Sequence, residues 1–261
     1  MKKFYALFLW LPLGLFCQNR LPIDSLKITD IQDFLVDDYG NAYIYKSKDF
    51  SFTKYDSTGV QKGKVMLTVP FRVQSVQNPL NIVFFSENAQ QIKMMDQYLT
   101  EIQKIEWQQQ FGFIREAYME DQQIVWLLED SNKRLIQFNY RENRVINAFP
   151  QFWDFDEVKE MLVFEGKVYL LTKDQFVVRS LRGEILYSEN LQEGIRLRRE
   201  NNWIYINTPN SMWRYRLGNQ LQKVFEVEGS KIVDKNSHSF FVLKANNLYL
   251  YTPQKAELIS E

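Results

Sequence analysis

The stretch Asp37-Asp38-Tyr39-Gly40-Asn41-Ala42-Tyr43-Ile44-Tyr45, followed by Phe52-Thr53-Lys54-Tyr55-Asp56-Ser57-Thr58-Gly59, decides the fold. It reads as a polar turn, a run of apolar and aromatic residues of strand character, a second turn, a second run and a third turn. The same alternation continues along the chain. The opening turn recurs as Gln77-Asn78-Pro79, Glu120-Asp121-Gln122, Glu165-Gly166, Glu200-Asn201-Asn202 and Asp234-Lys235-Asn236-Ser237. A β-rich run follows each: AYIY (42–45), IVFF (82–85), IVWLL (124–128), VYLL (168–171), WIYI (203–206) and FFVL (240–243). The next run starts at Phe52, Ile92, Leu135, Phe176, Met212 and Leu248, so successive copies are offset by 40, 43, 41, 36 and 36 residues.

Each copy holds two further apolar segments. One precedes the first run (IQDFLV, VQSV, IREAYM, VKEMLV, IRLR, KIV), and one follows the second (VMLTV, IQKI, VINAF, EILY, QKVF, AELI). Four short strands per copy, joined by hairpin-length turns with no helical period between them, signal an all-β array. A four-stranded unit repeated about every forty residues is the signature of a β-propeller blade. One blade cannot bury both of its faces, whereas a ring of blades covers each with a neighbour. The expectation is one six-bladed propeller over residues 30–261, with five or seven blades as alternatives. Residues 18–29 precede it, and the segment RLPIDSLKI (20–28) is expected to cap the ring or to lend a closing strand to the last blade.

The amino terminus reads as an address. Lys2 and Lys3 precede the uncharged apolar run 4–16, and polar sequence starts at Gln18. The run is too short to span a bilayer, which needs roughly 20 apolar residues, and has the length of a secretory signal. Residues 1–17 are expected to be removed. Lipidation of Cys17 is the alternative, although Phe16 stands where that signal wants a small residue. The protein is therefore expected to be exported, in the periplasm or associated with the outer membrane. Cys17 is the single cysteine, so no disulfide supports the folded body. The 261 residues carry 32 Lys+Arg against 32 Asp+Glu, and losing Lys2 and Lys3 leaves a net charge of −2. That balance excludes a generic nucleic-acid binder. Hydrophobic residues at 45% and aromatics at 15% exclude a disordered chain.

The first copy resembles a blade of the six-bladed propeller superfamily that includes NHL-type repeats. In those blades an aspartate, two residues, glycine-asparagine and an aromatic precede strand two, and tyrosine-aspartate, two residues and glycine end strand three. Asp37 to Tyr43 and Tyr55 to Gly59 match both patterns, while Arg179-Ser180-Leu181-Arg182-Gly183 in the fourth copy keeps only the glycine. The chain also looks similar to exported cell-envelope proteins of Bacteroidota, whose short signals often end just before a Gln.

Chemistry is sparse. His238 is the one histidine and lies in a turn between Ser237 and Ser239; with no other cysteine or histidine, neither a nucleophile–base pair nor a zinc site is expected. No catalytic residue, metal ligand or cofactor is assigned. The resemblance to six-bladed lactonases and related hydrolases implies a calcium alternative, in which Asn78, Glu120, Asp121, Asn202 and Asp234 would converge from the first turns. Turn residues of this type are expected in any case for backbone reasons. The fifth copy carries basic residues. Arg196 and Arg198 share a strand face beside Arg199, and Arg214 and Arg216 alternate likewise two strands later, a candidate stripe for an acidic peptide, lipid headgroup or polysaccharide. Trp107, Trp126, Trp153, Trp203 and Trp213 are expected in the core, with Trp153 the most exposed; lining a sugar channel is the alternative. The function expected is a non-catalytic scaffold for a protein partner in the bacterial cell envelope. A calcium-dependent hydrolase and a glycan-binding module are the alternatives.

Overall fold

The computed structural model describes residues 19–20, 31–107 and 110–251. The expected leader with Cys17, and the AELI run expected as the last blade's fourth strand, lie outside these residues. Among the described residues every regular element is a strand, and no helix is long and apolar enough to cross a membrane.

Strand β1 is Asn19–Arg20. Blade one is β2 (Asp33–Val36), β3 (Ala42–Lys46), β4 (Ser51–Tyr55) and β5 (Gln61–Met66). Blade two is β6 (Arg72–Ser75), β7 (Ile82–Ser86), β8 (Gln91–Met95) and β9 (Glu101–Glu106). Blade three is β10 (Ile114–Met119), β11 (Ile124–Glu129), β12 (Arg134–Asn139) and β13 (Arg144–Pro150). Blade four is β14 (Glu160–Phe164), β15 (Lys167–Leu171), β16 (Gln175–Ser180) and β17 (Ile185–Asn190). Blade five is β18 (Arg196–Glu200), β19 (Trp203–Asn207), β20 (Ser211–Tyr215) and β21 (Gln222–Glu226). Blade six takes β22 (Ile232–Lys235), β23 (Phe240–Lys244) and β24 (Asn247–Tyr251) from its own copy, and β1 stands antiparallel beside β24 as its fourth strand. The chain is a six-bladed β-propeller of four-stranded antiparallel blades.

Packing explains why the repeat was visible. Strands in the middle of a blade are covered on both sides by neighbouring blades, so they read as unbroken apolar runs rather than alternating ones. In β7 all five residues are buried, whereas β5 and β13 on the rim are largely exposed. The buried side chains fall into a cluster at each junction between successive blades. One is Phe85, Ile92 and Trp107 of blade two against Ile114, Leu127 and Phe138 of blade three. The junction that closes the ring sets Phe34, Val36 and Ile44 against Ile232, Phe241 and Leu243.

The turns are built as their residues dictate. The buried Asp37 carboxylate accepts from the N–H groups of Tyr39 and Asn41, the Asn41 amide and the Tyr43 hydroxyl, at 2.7–2.9 Å. Gly40 supplies the left-handed φ of 79° that closes this turn. Asn78, Asp121 and Asn236 cap the matching turns of blades two, three and six through N–H groups two residues on. Between strands three and four, Asp96 repeats the hydrogen bonds of Asp56, yet Leu99 stands at φ 62° where blade one has Gly59.

Candidate functional site

The first strand of each blade lines the central channel, and its charged residues lie at matched register. Asp33 pairs across to Tyr45, Arg72 to Phe85, Glu116 to Leu128, Glu160 to Leu171 and Arg196 to Asn207. Five blades thus contribute one charged side chain each to a ring. Blade six has Ile232 at this register and presents Asp234 two residues further on.

The ring is a buried network. Arg72 bonds Glu116 and the Lys159 carbonyl and stands 3.7 Å from Glu160. Arg196 bonds Asp33 and donates to the Phe34 carbonyl at 3.5 Å. Asp234 accepts from Val36 N–H at 2.9 Å and from the Asn207 amide at 3.0 Å, tying blades one, five and six together. Four carboxylates share two guanidiniums, so negative charge is in excess. Burial pushes Glu116 and Glu160 up to about 7, against the pull of Arg72 on both. Burial also raises Asp33, against Arg196. Burial would lower Arg196, but Asp33, Asp234 and Glu160 hold its pKa above the ordinary value.

Above this ring the channel widens into a mouth of about 410 Å³, at the end where first strands turn into second strands. Glu160, Arg196 and Asp234 line its inner part; Gln74, Gln77, Asn78, Asn81 and Gln122 line one side and Arg198 and Arg199 the other. Gln77 reaches across to the Arg199 carbonyl at 3.2 Å. Burial holds the Tyr118 phenol in the wall up to about 12.

The five arginines of the expected stripe are divided by the structure. Arg196 and Arg198 are only 5% exposed each and belong to the channel. Arg198 bonds the Lys235 carbonyl and lies 3.5 Å from Asp38 and 3.0 Å from Glu200, which also holds Lys235. The division has a simple cause: β18 is an inner strand, so the face that Arg196 and Arg198 share turns to the channel and the next blades rather than to water. Arg199 is exposed, its guanidinium 4.5 Å from the Phe164 ring. Arg214 and Arg216 stack on Trp203 at 4.5 and 5.5 Å.

Of the first-turn residues weighed for calcium, Asn78, Glu120 and Asp121 do line the mouth, as does Asp234, but Asn202 does not. Glu120 accepts from the Trp126 indole at 2.7 Å, and Asp121 accepts from Gln123 and Ile124 N–H. Among the described residues no three of His, Cys, Asp and Glu are grouped as ligands for a metal. His238 is exposed in its turn, and both polar groups of Ser237 are bound to Asp38. Trp107 and Trp126 are buried; Trp153, Trp203 and Trp213 are half-buried, and Phe152 rather than Trp153 is the exposed ring, at 93%.

The ring residues Asp33, Arg72, Glu116 and Glu160 were not singled out from the sequence. The sequence does carry them, each as a charge within or just before an apolar first segment.

No protein-family model and no curated protein sequence matches the chain. Solved structures do share its fold. A streptogramin B lyase is similar over 91% of this chain and 87% of its own, at 9% identity and a TM-score of 0.53. The inactive H270A virginiamycin B lyase of Staphylococcus aureus, with quinupristin, matches 88% of this chain and 83% of its own at 8% identity and 0.50. PorZ, a surface component of the type-IX secretion system of Porphyromonas gingivalis, matches 90% of this chain at 13% identity and 0.55. This chain spans 34% of PorZ. These likenesses are likenesses of fold.

Proposed function

We propose that the chain is an exported, non-catalytic propeller that scaffolds protein–protein contacts in a bacterial cell envelope, with the channel mouth as its docking face. The observation that carries this reading is the chemistry of the mouth. Its carboxylates are engaged: Glu160 and Asp234 with ring guanidiniums and amides, Glu120 with an indole, Asp121 with its own turn. What faces the open volume is mainly amide and guanidinium, groups that bind and orient; the carboxylates of Glu120 and Asp121 stand on its rim and Glu160 at its inner end, and no histidine or cysteine is among the lining residues. Chains of similar fold include a streptogramin B lyase and PorZ, a surface component of a secretion system, so fold alone does not choose between an enzyme and a binding module. The engaged carboxylates favour binding, and among the described residues no three carboxylates are grouped as a calcium site in the first turns.

The test is capture from native envelope membranes with a tag at the carboxyl terminus, wild type beside Asn78→Trp, which fills the mouth from an exposed turn position. The expected result is one stoichiometric envelope protein, recovered by wild type and lost with the variant. Capture of no partner, or equal capture by both, would overturn the reading. A melting temperature raised by millimolar calcium and lowered by EDTA would replace it with the hydrolase.

A further inference from the structure

Three guanidiniums at the end of blade five are held by aromatic rings rather than by carboxylates. Arg199 lies on Phe164, and Arg214 and Arg216 lie on Trp203. Among the described residues none of the three has a carboxylate within ion-pair distance, whereas Arg72, Arg115, Arg134, Arg144, Arg196 and Arg198 all do. A guanidinium held over a ring keeps N–H donors unspent, and its planar fork suits a carboxylate. Arg214 Nε is enclosed with no acceptor.

Topology brings the three to one end of the blade. β18 ends, β19 begins and β20 ends on the side of the mouth, and Glu200 is paired with Trp203, Ile204 with Tyr215 and Tyr205 with Arg214. Arg199 faces blade four, where Phe164 closes β14. Arg214 follows Tyr205 and Arg198 in cross-strand register on the face towards blade six. The two sites lie two strands apart, about 10 Å along the sheet, and on its opposite faces, so an extended peptide that reaches both passes over the mouth end of the blade. Arg199 also lines the mouth, whose opposite wall is amides, and there Asn81 Oδ1 is enclosed with no donor. An unmatched acceptor on the wall across from an unpaired cation suits a chain that brings both N–H groups and carboxylates.

We propose that blade five and the adjoining mouth form a receptor for an extended acidic segment of the partner protein. Carboxylates of that segment seat on Arg199, Arg214 and Arg216, and its backbone lies along Gln77, Asn78 and Asn81. The proposal rests on the scaffold reading above and names the chemistry of its partner. One face of Trp203 and of Phe164 is already covered by guanidinium, which disfavours sugar stacking. Glu120 and Asp121 on the far rim disfavour a broad anionic surface such as a membrane.

The experiment measures fluorescence anisotropy of a labelled alternating Gly-Glu peptide of about ten residues on the full chain, beside Gly-Gln and Gly-Lys peptides. The expected result is binding of the Glu peptide alone, weakened about tenfold or more by Arg214→Ala/Arg216→Ala and by Arg199→Glu, with each variant still folded and its melting temperature lowered by no more than a few degrees. Arg214→Lys, which keeps the charge without the planar fork, should fall between. Equal binding of the Glu and Gln peptides, or indifference to the arginine variants, would overturn the proposal. So would flotation with vesicles of phosphatidylglycerol and phosphatidylcholine without binding of the Glu peptide. An envelope partner that a triple variant at 199, 214 and 216 still captures leaves the scaffold standing and removes the acidic segment. Arginine-dependent peptide binding with no captured partner does the reverse.

Discussion

Arg196 and Arg199 lie three residues apart on one inner strand, yet one is spent on the fold and the other is available to a ligand. Arg196 is buried in the channel against Asp33, with Glu160 and Asp234 close enough to raise its pKa. Arg199 is exposed and rests on a ring. The difference comes from strand alternation near the channel: one face of β18 meets the carboxylate ring, and the last residues of the strand emerge at the mouth. Arginine content therefore says little about a propeller's ligands until each arginine has been assigned to ring or rim.

The sharpest way to break this comparison is Arg196→Ala. It leaves Asp33 buried without its cation, next to other carboxylates, and should cost about 3–5 kcal/mol by urea or guanidinium denaturation. A loss below about 1 kcal/mol would show that the ring is not structural. Adding Asp33→Asn to that variant should restore part of the stability, since the stranded charge goes with its partner. The two substitutions should fall short of additivity by about 1–3 kcal/mol. Simple additivity would mean that the pair does not act as one.

The ring also predicts a pH dependence. Glu116 and Glu160 keep their protons up to about 7 when folded, whereas in the unfolded chain they ionise near the ordinary carboxylate value. Across that interval the native state binds more protons, so stability is greatest below about pH 4.5 and falls as pH rises to about 7. The groups that face the pair are Arg72, Arg196 and Glu87, together with the N–H groups of Ala117 and Leu197. Because both carboxylates look at Arg72, they titrate as a pair and the loss is on the order of 2–3 kcal/mol. Asp38 acts in the opposite sense and at lower pH. Burial would raise it, but hydrogen bonds from Ser237 and the charges of Arg198 and Lys235 hold it below its ordinary value, so its contribution disappears only as acid protonates it. Denaturation midpoints at pH 5 and 7.5 should differ clearly for the wild-type chain and much less for Glu160→Gln, which frees Arg72 for Glu116. An equal drop in both would remove the excess-carboxylate account.

Most of the architecture was legible because a propeller writes it into the sequence several times over. Runs such as AYIY and IVFF are apolar on both faces since each lies between two blades, and Asp37 and Asp56 sit where a turn needs a carboxylate. Drifted turns were harder. Asp96 keeps its hydrogen bonds while Leu99 takes the glycine position, its side chain buried in the core between blades one and two. The ring was not read, because Arg196 and Asp33 are 163 residues apart and each alone looks like a charge on a solvated strand face. Nor did the sequence separate Arg198 from Arg199. That needs the direction of the strand relative to the channel, which only closing the ring supplies.

The smallest expected effect tests the other half of the comparison. Arg216 is exposed and 5.5 Å from Trp203, and Arg214 is half-buried at 4.5 Å. A cation over an indole in such settings contributes about 0.5–1 kcal/mol. Arg216→Ala should therefore change stability by no more than about 0.5 kcal/mol and Arg214→Ala by about 1 kcal/mol, while Trp203 fluorescence shifts as its ring loses cover. Small effects here beside a large one at Arg196 would confirm that the two sets of arginines on blade five do different work. A loss above about 2 kcal/mol at Arg216 would make the arginines on Trp203 part of the fold, and Arg199 alone would then be left on the rim to meet a ligand.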